Sequence, residues 1–438
     1  MKKNNFHQLW QEAKKFILGG NMLISKRPEM FLPNLWPTYY SKAKKIYVWD
    51  LNGKKYIDFI FAVGQSTLGY SNEIIDKEIK KKIEQGLMTT LNCHEEVELA
   101  KKLVQLHPWA DKVKFARSGG EANALAIRIA RSACRNDKNH IAICGYHGWH
   151  DWYLSVNLKS KNALNKHLLP GLNPVGVPKE LINKTHAFEY GNFEQLKNLN
   201  KKFNLGIIKM KIARNNLPDI NFLRDVRKFC DKNKIILIFD ECTTGFRYTL
   251  GGLHLSTKVY PDLAMFGKAL GNGYAISAVI GKKKIMDKAA SSFISSTFWT
   301  ERAGFVAGLK TIEFMEKHKT SEKLIKNGKY LISKWKELSS KYNLNLQVNQ
   351  MPCICSFNFN KNNNLLKTLI TKEMLKKGYL ASNMLYVSIY HDKEVIDKYI
   401  KNLDYVFKKI KSVLNNKTKI LKKVSKIQTK KSFKRLIN

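Results

Sequence analysis

Ile235-Ile236-Leu237-Ile238-Phe239-Asp240-Glu241-Cys242-Thr243-Thr244-Gly245-Phe246-Arg247 is the stretch on which the fold turns. Ile235 to Phe239 is a continuous apolar run, the pattern of a strand buried on both faces, and it stops on two acids. Working outward, Lys112 to Ala116, His140 to Cys144, Leu205 to Ile212, Leu263 to Phe266 and Ala275 to Ile280 read as further strands. Helices alternate with them. Glu121 to Arg135 presents Ala122, Leu125, Ala126, Ile129 and Ala133 on one buried face, and Phe222 to Lys232 forms another. This alternation predicts an α/β fold: a mostly parallel sheet with helices on both faces.

The flanks read differently. Lys45 to Phe61 is a hairpin around the turn Asp50-Leu51-Asn52-Gly53, and charged helices follow at Asn72 to Gln85 and Glu95 to Leu106. A long helix is expected from Ala303 to Lys317. Beyond it, Leu346 to Val348, Ile354 to Phe359 and Leu385 to Ile389 look like strands of a smaller α+β domain. The expected organisation is therefore an N-terminal segment, 1–70, contributing to the small domain and to substrate access. A large domain over 71–320 and a C-terminal small domain over 321–438 complete it. The tail from Asn415 to Asn438 reads as a basic, solvated extension packed at its end by Phe433 and Leu436.

The chain has 438 residues, an ordinary apolar fraction of 44% and a formal net charge of +42. Such a charge raises nucleic-acid binding as a possibility. The lysines are spread along the whole chain beside Asn and Ile, and no nucleic-acid motif accompanies them, so no nucleic-acid partner is expected. The positive field should attract anionic substrates and cofactors. No run approaches about 18 uninterrupted apolar residues, so no membrane partner is expected. Met1 to Gln11 lacks the apolar core and cleavage site of a signal peptide, which points to the cytoplasm. Seven cysteines are scattered without paired CxxC units, so no metal site is expected and they read as reduced core thiols.

In doubly wound sheets, ligands gather at the carboxyl ends of strands. There the chain has Arg117-Ser118-Gly119-Gly120-Glu121, Gly145-Tyr146-His147-Gly148, Asp240-Glu241 and Gly267-Lys268. Each group suits one part of pyridoxal 5'-phosphate. Small residues opening a helix let backbone N–H groups approach a phosphate. Asp240, at the end of a buried strand, can keep a pyridine nitrogen protonated. Lys268 can meet the aldehyde as a Schiff base. Tyr146 can stack on the ring. Each feature alone has a bland reading: a plain helix cap, a solvated acidic loop, a surface lysine, half-buried aromatic packing. Gly267-Lys268 is no nucleotide-phosphate loop either, because Ala269 stands where Ser or Thr is required. Their joint occurrence, each at a strand end, favours the cofactor.

These segments resemble the class III aminotransferase family, of PLP fold type I, over about Gly19 to Leu403. The resemblance is strongest in Leu237 to Arg247 and in Pro261-Asp262-Leu263 through Phe266-Gly267-Lys268-Ala269-Leu270-Gly271-Asn272-Gly273. Lys268 follows Asp240 by 28 residues, similar to the family. Arg117-Ser118-Gly119-Gly120-Glu121-Ala122 resembles its phosphate loop, and Tyr146-His147-Gly148-Trp149-His150 its stacking segment. The resemblance implies that Lys268 holds the cofactor and shuttles a proton, and that Asp240 holds the ring nitrogen. It implies that Tyr146 and Cys242 lie against the two ring faces, with His147 beside them, and that Ser118, Gly119 and Gly120 hold the phosphate. Ser296-Thr297-Phe298 resembles the segment whose Thr reaches the phosphate of a neighbouring subunit, which implies a homodimer with shared active sites. Two departures stand out. Lys211-Ile212 replaces a frequent Glu-Pro, reversing a charge near the site beside Arg214, and Gly120 replaces a frequent Thr or Ser.

Within the family, Leu18-Gly19-Gly20 with Lys26-Arg27 resembles the segment of glutamate-1-semialdehyde aminomutase that grips substrate. Arg27 then becomes a carboxylate ligand, or else an ordinary surface arginine. The segment Leu380 to Val387 lacks the glutamate of the aminomutase, and Trp299-Thr300-Glu301-Arg302 differs from the usual Gly-Asn-Pro-like sequence. These features favour transfer of an amino group between a donor and a small oxo compound, with Trp299, Glu301 and Arg302 as pocket residues. Intramolecular aminomutase chemistry and a non-catalytic PLP-binding homologue are the alternatives.

Overall fold

The computed structural model describes residues 5–135, 137–160, 162–167, 171–213 and 216–415. The chain forms two compact units, one of residues 1–72 with 322–438, the other of residues 73–321. In the first, β1 (Tyr40–Lys44), β2 (Tyr47–Asp50) and β3 (Lys55–Asp58) form an antiparallel meander. The turn between β2 and β3 is the one read from the sequence. The Asp50 carboxylate accepts from the backbone N–H groups of Asn52 at 2.9 Å and Lys54 at 3.0 Å, and Gly53 takes the left-handed φ of +77°.

The second unit is built on a seven-stranded sheet. Its strands are β4 (Lys112–Ala116), β5 (His140–Cys144), β6 (Thr185–Ala187), β7 (Leu205–Met210), β8 (Ile236–Asp240), β9 (Leu263–Phe266) and β10 (Ser277–Gly281). Their spatial order is β4-β10-β9-β8-β7-β5-β6. β10 runs antiparallel to both its neighbours, while the pairs from β9 through β8, β7 and β5 to β6 are parallel. This is the expected α/β architecture of PLP fold type I. Every residue of β7, β8 and β9 is buried, as their apolar runs lead one to expect, and the burial includes the two charged residues Lys209 and Asp240. The Gly119–Ala133 helix lays Ala122, Leu125, Ala126 and Ile129 into a core with Ile143, Ile207, Ile238 and Met265.

Boundaries shift where side chains decide them. The helix expected from Glu121 starts at Gly119, because Ser118 caps it: its hydroxyl accepts from the Glu121 N–H while the Glu121 carboxylate reaches back to the Ser118 N–H. β8 extends to Asp240, which keeps its place in the ladder opposite Met265. The three-residue β6 carries no period that a sequence reading could find.

In the C-terminal part of the first unit, β11 (Leu346–Val348), β12 (Ile354–Phe359) and β14 (Met384–Tyr386) form an antiparallel sheet. β13 (Tyr379–Leu380) joins β3 in parallel. The strand expected up to Ile389 ends at Tyr386, and the backbone then turns so that the Ser388 N–H donates to His391 Nδ1 at 2.9 Å. Residues 416–438, with Phe433 and Leu436, lie outside the described residues, as does Arg214. All seven cysteines are free. Cys144, Cys230, Cys353 and Cys355 are buried, but Cys93, Cys134 and Cys242 are only half-buried, so the expectation of core thiols holds for four of them. No helix among the described residues is long and apolar enough to cross a membrane.

Candidate active site

β4 points the same way as β9, since each is antiparallel to β10. The carboxyl ends of β4, β5, β7, β8 and β9 therefore share one edge of the sheet. Ser118, His147, Lys211, Asp240 and Lys268 follow or close those five strands.

Asp240 is the buried centre of this edge. His147 Nδ1 donates to Oδ2 at 2.7 Å, while Lys211 Nζ at 2.7 Å and the Cys242 N–H at 3.1 Å reach Oδ1. Burial alone would raise the carboxyl pKa. The Lys211 ammonium and the His147 hydrogen bond outweigh it and hold the group well below the usual carboxylate range. His147 is itself fully buried, and desolvation lowers its pKa against the opposing pull of Asp240, while its Nε2 faces the Cys144 carbonyl at 3.2 Å.

Lys268 sits where β9 gives way to a short 3-10 turn. Its φ of +46° is left-handed, a strained conformation for a residue with a long side chain. The amine donates to Thr243 Oγ1 at 2.9 Å. Burial is the main cause of a pKa lowered to about 8, with the Lys211 and Arg247 charges adding to it against Cys242 and Asp240. A lysine in this state is an accessible nucleophile near neutral pH.

The opening of the Gly119–Ala133 helix forms a close-walled cradle. A Cβ on Gly119 would lie 2.8 Å from Cys242 Sγ, and one on Gly120 would lie 3.0 Å from His150 Cε1. A Cβ on Gly148 would lie 3.1 Å from the Gly120 Cα. A side chain at 120 would therefore press on the His150 ring, which would have to yield. Cys242 Sγ also faces Gly267, where a Cβ would lie 3.1 Å away. Tyr146 is half-open to solvent and meets Tyr153 edge-on, with ring centroids 5.9 Å apart.

The remaining expected site residues have structural partners. Trp299 Nε1 donates to Glu121 Oε1 at 3.1 Å, tying it to the helix opening. Glu301 caps the Arg302–Lys317 helix, accepting from the Ala303 N–H at 2.7 Å. Arg302 makes a forked ion pair with Glu95, Nη2 to Oε1 at 2.8 Å and Nε to Oε2 at 3.0 Å. Of the three residues read as pocket residues, Trp299 is thus tied to the Gly119–Ala133 helix opening, Glu301 to a helix terminus and Arg302 to an ion pair. Thr297 is exposed, at the start of a 3-10 turn. Arg27, in the other unit, is buried against Gly19, whose added Cβ would overlap the guanidinium, and Gly19 and Gly20 take left-handed φ of +72° and +83°.

Three residues of this region were given no role of their own in the sequence reading. Thr243 holds the Lys268 amine. Arg117 clamps the 298–301 segment, donating to the carbonyls of Phe298 at 2.6 Å, Trp299 at 2.9 Å and Glu301. Lys209 is fully buried on β7, and its amine has no hydrogen-bond partner among the described residues. A lysine at position 209 inside an apolar strand, two before Lys211, was the available signal.

The Aminotransferase class-III family profile matches residues 33–396. The 3-aminobutyryl-CoA aminotransferase of Cloacimonas acidaminovorans is 35% identical over 73% of this chain and 75% of its own length. The glutamate-1-semialdehyde 2,1-aminomutase of Methanocaldococcus jannaschii is 31% identical over 93% of this chain and 99% of its own. Among solved structures, the PLP internal aldimine form of the Sphingopyxis sp. MTA144 FumI protein superposes with a TM-score of 0.83 at 22% identity, covering 94% of this chain and 97% of that one. An omega-transaminase from Sphaerobacter thermophilus reaches 0.80 at 19% identity, over 93% and 98%. The chain belongs to the class III aminotransferases, enzymes that work with pyridoxal phosphate on small-molecule substrates.

Proposed function

We propose that Lys268 is the residue that takes the cofactor and moves the proton during amino transfer, and that Asp240 is the partner of the ring nitrogen. The donor set fits the group: a buried amine with a pKa near 8, a carboxylate held ionised, and a glycine-walled helix opening. Bound pyridoxal phosphate supplies an aldehyde for the substrate amine and a ring that accepts electron density.

The protein's residues do the rest. The Lys268 amine, when free, would be the base that lifts the proton from the substrate Cα and returns it one position away. Thr243 orients that amine through its hydroxyl. His147 holds the Asp240 carboxylate in place from the opposite side. Tyr146 and Cys242 would flank the ring. The backbone N–H groups at Gly119 and Gly120, at the positive end of a 15-residue helix, receive phosphate oxygens with Ser118 beside them. Thr297 serves the phosphate of a second copy of the chain, in a cytoplasmic homodimer with shared sites. The exposure of Phe293 at 87%, Phe298 at 67% and Trp149 at 69% supports such a contact on this unit.

The preferred reaction is transfer between separate donor and acceptor molecules. The segment joining β13 to β14 is only Ala381-Ser382-Asn383, with no acid in it. Aminomutase chemistry is the second reading, favoured by the match over 99% of the Methanocaldococcus enzyme. Borohydride reduction of the cofactor-loaded protein should fix the cofactor on Lys268, as read by peptide mapping, and Lys268→Ala should abolish the adduct. Adding a suitable amino donor should shift the cofactor absorbance to that of the aminated form. Conversion of glutamate 1-semialdehyde with no response to any donor would establish the second reading instead.

A further inference from the structure

The Asp240 carboxylate does not wait alone for a ring nitrogen. Lys211 Nζ already stands 2.7 Å from its Oδ1, and the Lys211 side chain is mostly shielded from solvent. The stem reaches this position across Gly145, whose φ of +108° and lack of Cβ clear the path: a Cβ there would lie 2.5 Å from Lys211 Cγ. The backbone assists, because the Lys211 N–H donates to the Cys144 carbonyl at 2.9 Å and fixes where the side chain departs. Lys209, two residues earlier and on the same face of β7, is buried and interacts electrostatically with the same carboxylate.

The groups facing Asp240 are few. From the segment after β5 come His147, whose charged form burial disfavours, and Tyr146. From β7 and its end come Lys209 and Lys211. Beyond β8 comes the Cys242 thiol, and after β9 comes Lys268. One carboxylate is thus matched by one ammonium in contact, with further lysines close behind. A carboxylate offers about four lone-pair positions, so a place for the ring nitrogen remains. What is missing is uncompensated negative charge. A proton on the ring would add a second cation to an anion that Lys211 already neutralises, in surroundings too dry to screen the two.

We propose that Lys211 is a positioning residue that shares Asp240 with the cofactor ring and lowers the proton affinity of the ring nitrogen. Asp240 would orient the ring but hold its proton weakly, and the ring would then accept less electron density.

The inference rests on the reading of Asp240 as the ring-nitrogen partner, and the test separates the two. Holoenzyme is prepared with ¹⁵N-labelled pyridoxal phosphate, and the ring-nitrogen resonance is followed from about pH 6 to about pH 9. Lys211→Met and Lys211→Gln should raise the ring-nitrogen proton affinity by about tenfold or more, the size expected when a like charge at ~4–6 Å is removed. Lys209→Met should leave most of the wild-type behaviour in place. Equal titration in wild type and both Lys211 variants overturns the proposal, as does a shift produced by Lys209→Met and not by Lys211→Met. A wild-type resonance that stays at the protonated limit throughout overturns it without any variant. An Asp240→Asn holoenzyme whose ring nitrogen titrates as in wild type would remove the underlying reading instead, whereas a ring nitrogen that responds to Asp240→Asn and not to the Lys211 variants removes only this inference.

Discussion

Lys268 differs from a solvated lysine in two respects, a left-handed backbone and an amine taken out of water. Desolvation disfavours the charged form, which is why its pKa falls to about 8. The neutral amine is the nucleophile, so the rate at which cofactor-free protein captures pyridoxal phosphate should depend on pH with a definite sign. Below about pH 8 most of the amine is protonated, and each unit of decrease should slow capture by about tenfold; above that pH the rate should level off. Stopped-flow absorbance at saturating cofactor reads this directly, and a flat profile between about pH 6 and 8 would contradict the lowered pKa. The sequence identifies this lysine among 77 basic residues only through its neighbours in the chain, the strand before it and Asp240 upstream. Its hydrogen bond to Thr243 was not legible, since nothing in Cys242-Thr243-Thr244-Gly245 says which hydroxyl turns back toward residue 268.

At the scale of elements, the helix opening at Ser118 couples two segments distant in sequence. The Ser118-x-x-Glu121 pattern is a capping signature, and the structure contains both of its reciprocal hydrogen bonds. The fit between Gly120, Gly148 and His150 is a tertiary matter. Gly120→Thr should force the His150 ring aside and weaken cofactor binding, with a destabilisation of about 1–3 kcal/mol for an overfilled site. The double variant Gly120→Thr/His150→Ala should recover most of that loss. Thermal unfolding with and without cofactor measures both, and equal defects in the single and double variants would mean that the imidazole is not the obstacle. Strand β7 teaches the complementary lesson. Its apolar residues identified it as a buried strand, yet Lys209 sits inside it with its amine unpartnered among the described residues. Period-2 alternation places Lys209 and Lys211 on one face but cannot tell that the face looks toward Asp240.

For the molecule as a whole, the proposed shared site makes a prediction that a single chain cannot satisfy. Mixed refolding of Lys268→Ala with Thr297→Val should yield heterodimers with one fully native site, and activity should return to about a quarter of the wild-type value even if each variant alone is inactive. Absence of recovery, with dimers present by sedimentation, would place Thr297 outside the neighbouring site. The net charge of +42 acts at this scale too: it should draw anionic donors and acceptors toward the protein and make the capture rate fall with added salt.

The sequence by itself determined the mostly parallel sheet, six of its seven strands, and which strand ends carry an amine, a carboxylate and a glycine-rich helix opening. Those follow from local rules: apolar runs make buried strands, and glycine and capping residues open helices. Only the tertiary structure decided who stands beside whom. It bound Arg302 to Glu95 and Glu301 to its helix, where the sequence had suggested pocket residues. It set the His150 ring against Gly120, and it brought Lys211 and His147 to opposite oxygens of Asp240. Such contacts join residues tens of positions apart, and the spatial order of the strands, not any period along the chain, sets which side chains share a carboxylate.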